Sequence, residues 1–195
     1  MNELWTLDAA NLVAVSFGVG IVIGLTGMGG GALMTPALIF LGVPPSAAVA
    51  NDLVAAALNK SVGAAVHFKQ GAPVLRLAVW LIAGSVPTAF AGAFIIDGIG
   101  ASHDQERFLK YAIGATLLLA AATYVLRAYL NLRASRNGEV PERPIQIRPI
   151  PTMLLGAFGG LVVGITSVGS GSVIMVTLVL MYPMLTPVKL VGTDL

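Results

Sequence analysis

The sequence predicts an all-α integral membrane protein made of two internal repeats, each with a glycine-rich broken helix or hairpin followed by transmembrane helices. Three observations carry that expectation. Hydrophobic residues make up 56% of the 195 residues and charged residues only 10%, at mean hydropathy +0.88, whereas a soluble domain carries about a quarter charged residues. The apolar residues fall in runs close to the ~20 that a membrane helix needs. One glycine-rich pattern also occurs twice. The same composition narrows the function. Net charge is only +2, and no basic patch interleaves with aromatics, so no nucleic acid is expected as a partner. The chain has no Cys, which excludes disulfides, thiol catalysis and Cys-ligated metals. No metal site or cofactor is expected. The opening "MNELWTLDAANLV" lacks a basic n-region and does not read as a cleaved signal peptide.

The first span, Ala9 to Leu25, opens a stretch without charge that runs to Asn51. Inside it lies "GLTGMGGGALMTP", with five glycines in the eight positions Gly24 to Gly31. Each glycine lowers helix stability by roughly 1 kcal/mol relative to Ala. The helix should therefore break here or pack very closely. The apolar piece that follows, Gly30 to Gly42, would reach only about 20 Å, less than the hydrocarbon thickness. Residues 9–42 thus read as a helical hairpin with the glycines at its tip. Full spans follow at Ala47 to Phe68, Val74 to Ile96 and Phe108 to Leu130, and another is entered near Pro151. "GSVPTAFAGAF", Gly84 to Phe94, combines Pro87 with small residues, which predicts a kinked, closely packed helix.

Charge sets the orientation. The loop "RASRNGEVPERPIQIRP", Arg133 to Pro149, carries four Arg against two Glu, and "KQGAPVLR" adds Lys69 and Arg76. Two helices separate these loops, so both lie on one side, and the positive-inside rule makes it cytoplasmic. Loops 69–76 and 131–149 are then inside. Asp97, His103, Asp104, Glu106 and Arg107 form a solvated outer loop. Glu3 and Asp8 favour an outside N-terminus.

The repeat is visible by offset. Gly24, Thr26, Gly29 and Gly31 fall on Gly164, Thr166, Gly169 and Gly171 at an offset of 140. After a two-residue insertion, Pro45 matches Pro187, and Asp52-Leu53 matches Asp194-Leu195. Three regions follow: residues 1–131 as the first repeat, 132–149 as a basic cytoplasmic loop, and 150–195 as the start of a second, inverted repeat. By repeat logic a complete second unit would reach about residue 270, so the chain reads as a fragment or a truncated product.

Two readings compete for "TGMGGG". Small residues let helices approach closely in lipid. Alternatively, the helix breaks and the next half-helix points free N–H groups near Gly30, Gly31 and Ala32 into a cavity, where they bind an anion. The repetition favours the anion site. A phosphate-binding P-loop fails, because no Lys follows the glycines. Hydroxyls of Thr26, Thr166, Ser167 and Ser170 add donors, with Gly29, Gly30, Gly31, Gly169 and Gly171 as the backbone of the two copies. The helix "ANDLVAAALNKSVGAAVHF" brings ionisable residues into the bilayer. At 100° per residue, Asn59, Lys60 and His67 lie about 20°, 80° and 60° from Asp52. Intramembrane ionisable groups are functional candidates by default. Lys60 suits a counter-charge for an anion, or else snorkels. Asp52 is either part of the site or a helix N-terminal charge favoured by the dipole. His67 suits the cytoplasmic interface. The candidate substrate site also includes Asn51, beside Asp52, and the repeat mate Asp194.

The combined pattern, "GLTGMGGGALMTPALIFLGVPPSAAVANDL" then "NKSVGAAVHFKQG", resembles the sulfite exporter TauE/SafE (TSUP) family of membrane transporters. The resemblance covers the first unit to about Leu130 and resumes over Met153 to Leu195. It implies a multi-pass plasma-membrane protein that moves small anions such as sulfite or organosulfonates, often outward, coupled to a proton or sodium gradient. An enzyme using His67 with Asp52 is disfavoured, since 15 helical residues set them over ~20 Å apart. A non-transporting assembly subunit that forms a homodimer is the remaining alternative.

Overall fold

The computed structural model describes residues 2–26, 30–69, 74–100, 103–136 and 147–169, with Ile174, Thr177, Leu178, Met181, Tyr182 and Thr193. Among the described residues the ordered elements are all helical. Helix α1 spans Asn2–Thr26, 25 residues or about 37 Å at the helical rise. A 3-10 turn, Gly30–Ala32, leads into α2, Met34–Phe40, only seven residues long. Gly42 then adopts φ +87, a left-handed conformation that favours glycine. It closes α2 through Gly42 N–H to the Ile39 carbonyl and Val43 N–H to the Leu38 carbonyl, both 3.0 Å. Pro45 opens α3, Pro45–Lys69, where its missing N–H is no loss. Then come α4, Leu75–Gly98, α5, His103–Arg136, and α6, Pro149–Thr166.

Each expected span has its helix, with α1 longer than expected at its N-terminal end and α5 at both ends. The two segments of the expected hairpin are unequal: α1 of 25 residues and α2 of about 10 Å. Its tip, residues 27–29, lies outside the described residues. Among the described residues three helices are long and apolar enough to cross a membrane: Leu75–Gly98, His103–Leu126 and Pro149–Thr166. Helix α3 is as long as α1, but Asn51, Asp52, Asn59 and Lys60 dilute its apolar character.

Helices α4 and α6 form the tightest pair. A Cβ added at Gly84 would strike the Met153 carbonyl, and one at Gly156, Gly160 or Gly164 would strike the carbonyl of Leu81, Ser85 or Ala89. The two backbones therefore touch at successive turns, an approach that only glycine permits. Pro87 sits inside α4 without ending it. At one end of this pair Leu77, Leu81, Leu155, Ile174, Leu178 and Tyr182 form a buried cluster. A second cluster, Val49, Leu109 and Ile113, with Ile39, Leu53 and Ile165 against it, joins α3 and α5 to α2 and α6.

Glu106 departs from its expected place in a solvated loop. It lies in the first turn of α5 and accepts hydrogen bonds from the Ser46 hydroxyl and, at 3.4 Å, from the Ser46 N–H. It thus caps the first turn of α3, where free N–H groups and the dipole favour a carboxylate. The starts of α3 and α5 are side by side, so these helices run in the same direction. Outward-facing Val54, Leu58, Val62, Phe90, Phe94 and Leu118 are all more than half exposed, as lipid-facing residues should be.

Candidate functional site at the crossing of two helix breaks

The chain's two interruptions, after α1 and after α6, meet in space. Helix α6 ends at Thr166, whose hydroxyl donates to the Val162 carbonyl at 2.8 Å and accepts from Val168 N–H at 3.2 Å. Ser167 follows at φ +59, and its N–H closes the last turn on the Val163 carbonyl at 2.7 Å. Among the described residues it is the one non-glycine in the left-handed region. Such a residue is strained by about 1 kcal/mol or more and persists where its surroundings fix it. What this conformation achieves is direction: the Ser167 hydroxyl points at α3 and donates to Asp52 Oδ2 at 2.6 Å.

The first break meets the same carboxylate. Thr35, in the first turn of α2, donates from Oγ1 to Asp52 Oδ2 at 3.1 Å. A Cβ built on Gly30 would stand 3.0 Å from Asp52 Oδ1, and one on Gly31 would collide with the Ser167 carbonyl. Gly31 is thus required where one break's backbone lies against the other's, and Gly30 leaves room for the Asp52 carboxylate. Asp52 is 2% exposed, Thr35 0% and Ser167 5%. Buried charges are normally paired with an opposite charge or a metal. Asp52 has two hydroxyls instead, and the 3-10 turn, α2 and α6 carry no Lys, Arg or His.

The expected residues therefore divide. Gly30, Gly31, Asp52 and Ser167 come together, and buried Gly169, φ +121, follows in the second break. The Thr166 hydroxyl caps its own helix end instead of reaching the crossing. Thr26 is the last residue of α1, as Thr166 is of α6. Gly29, Ser170, Gly171 and Asp194 lie outside the described residues. Asn51 and Asn59 are exposed, and Lys60 is part-buried about 12 Å farther along α3. Asn59 shares Asp52's helix face but not its surroundings, because the part of α3 covered by buried packing ends at Asp52. The helix-end reading of Asp52 is replaced: the capping carboxylate at the start of α3 is Glu106. Thr35 was missed in sequence, although a hydroxyl inside the apolar "ALMTPALIF" was the available signal.

Long apolar helices packed around two interrupted segments, which meet at a buried polar cluster, define a multi-pass membrane protein. The chain matches the Sulfite exporter TauE/SafE family over residues 12–195 and belongs to that family. It is 36% identical over 188 residues to the "Probable membrane transporter protein YjnA" of Bacillus subtilis (strain 168), a match spanning 96% of this chain and 73% of that protein. No solved structure matches it. The protein is a membrane transporter and not an enzyme.

Proposed function

We propose that the protein is a secondary transporter of small sulfur-containing anions, sulfite or sulfonates, whose substrate binds where the two breaks cross. One observation carries this reading: the Thr35 and Ser167 hydroxyls, from separate breaks, converge on a single carboxylate oxygen. That pair is a receptor for one oxygen of an oxyanion, and the chain's own carboxylate fills it. A sulfite or sulfonate oxygen presents the same negative acceptor. Sulfur comes from the family; the anionic class is supported by the donors. Hydroxyls do the binding in this reading, since a seven-residue α2 has a small macrodipole. Lys60 supplies a positive charge farther along α3 on the substrate's path. Loops 69–76 and 131–149 face the cytoplasm, and the two breaks belong to inverted repeats, an arrangement in which transporters bind substrate between the halves.

The test is counterflow of labelled sulfite and labelled methanesulfonate in proteoliposomes, with protein-free vesicles as the blank. Saturable counterflow of at least one anion is expected, falling about tenfold in Ser167→Ala, which loses one hydrogen bond to a charged group. Flux of both anions no faster than in protein-free vesicles would overturn the reading.

A further inference from the structure

We infer that Asp52 is the coupling site of the transporter, taking up one proton when the substrate anion displaces its carboxylate from the Thr35 and Ser167 hydroxyls. The inference rests on the transport reading above and adds the identity of the driving ion and the residue that carries it.

The geometry leads there in three steps. A hydroxyl has one O–H to donate, and both Thr35 and Ser167 spend theirs on Asp52 Oδ2. An oxyanion that binds these donors must therefore take them from Asp52. Both acceptors would then sit in one buried site, and like charges so close disfavour each other's ionised form. One negative charge has to be cancelled, and among the described residues no cation lies close enough to do it. The 3-10 turn, α2 and α6 have no titratable side chain at all. On α5, Glu106 is held by Ser46 at the start of α3, and exposed Lys110 lies beside Phe40 in a shallow cleft between α2 and α5. On α3 itself Lys60 is about 12 Å away. On α1, Glu3 and Asp8 lie in the first two turns, roughly 27 Å or more of helix from Thr26. The remaining means is a proton on Asp52.

The cycle then balances. On the loading side Asp52 receives a proton from hydronium: one O–H bond forms on the carboxylate and one breaks in the donor. The hydroxyls turn to the bound anion. On the far side the anion leaves, water takes the proton back, and the carboxylate recovers its two donors. One proton and one monoanion cross together with no net charge. The site holds a single negative charge throughout, first its own and then the substrate's.

The test uses the protein in proteoliposomes with methanesulfonate, a permanent monoanion whose charge does not change with pH. In the wild type, a gradient of one pH unit should accumulate methanesulfonate about tenfold, independently of membrane potential and of Na+. In Asp52→Asn, which keeps the shape and loses the titration, the counterflow that remains should not respond to a pH gradient and should accumulate nothing. The wild type alone gives a second reading should that variant fail to insert: KM for methanesulfonate should rise about tenfold per pH unit on the alkaline side. Accumulation driven by Na+ and not by pH, pH-driven accumulation in Asp52→Asn, or a KM flat in pH would each overturn the inference while leaving the transporter reading intact. Flux of neither methanesulfonate nor sulfite above protein-free vesicles would overturn both.

Discussion

Glycine does opposite work in the two closest approaches of this molecule. Along the α4–α6 seam, Gly84, Gly156, Gly160 and Gly164 stay helical and let two unbroken backbones touch. At the crossing of the breaks, Gly30 and Gly31 sit outside the α-helices and clear room for a carboxylate and a carbonyl. The seam satisfies its backbone polar groups within each helix. The crossing leaves helix ends that need hydroxyls and a left-handed serine to complete them. Hence the seam is a close packing of two helices, and the crossing is a polar contact between helix ends.

That contrast can be broken most forcefully at the seam. Gly84→Val puts a branched side chain into the Met153 carbonyl, and overpacking of this kind costs about 3 kcal/mol or more. Purified yield and thermal midpoint in detergent should both fall sharply. A midpoint within about 2 °C of wild type would mean that the seam is looser than described. At the crossing the balance should reverse. Gly30→Val meets the Asp52 carboxylate and should cut methanesulfonate counterflow more than ~10-fold, which is over ~1.4 kcal/mol, while insertion persists. Loss of insertion in parallel with flux would remove the distinction between the regions.

Ser167→Gly sharpens it further. The left-handed position would relax by roughly 0.4–1 kcal/mol, while Asp52 loses a hydrogen bond of ~1.5–3 kcal/mol. Stability should drop only slightly, by about 1–2 kcal/mol, and substrate affinity should fall about tenfold. Unchanged affinity would exclude the hydroxyl from binding. Glu106→Gln gives the smallest effect. It weakens the cap on α3 by about 0.5–1 kcal/mol and should leave flux unchanged, because it acts at a helix end away from both regions.

Much of the architecture was legible in the sequence because it depends on length and apolarity, which are local. The spans over α3, α4, α5 and α6 follow from run lengths, and the stops at Thr26 and the α6 end from glycine and serine clusters. Which glycines break a helix and which pack it was harder to read. Gly156, Gly160 and Gly164 recur every fourth residue, the spacing of a continuous helix face, whereas Gly29 to Gly31 are consecutive. That spacing distinguishes the two roles and can be read without a structure. The meeting of Asp52 with Ser167 could not be read that way, because 115 residues separate them and no local pattern brings two breaks together. A helical wheel placed Asp52 and Asn59 on one face, yet it carries no information about where α2 stops covering that face.

A cysteine pair shows whether the two breaks touch across Asp52 in the membrane. The chain has no Cys, so Thr35→Cys with Ser167→Cys adds the only thiols present. Both positions lie within hydrogen-bond reach of the same oxygen, close enough for a disulfide or a short bis-maleimide to join them. Oxidation in native membranes should form the cross-link, detected after proteolysis between the two halves. The cross-link itself is the readout, because this pair removes both binding hydroxyls, and it should reverse on reduction. Efficient labelling of both thiols by maleimide without any cross-link would show that the breaks lie apart, and the site proposed here would not exist.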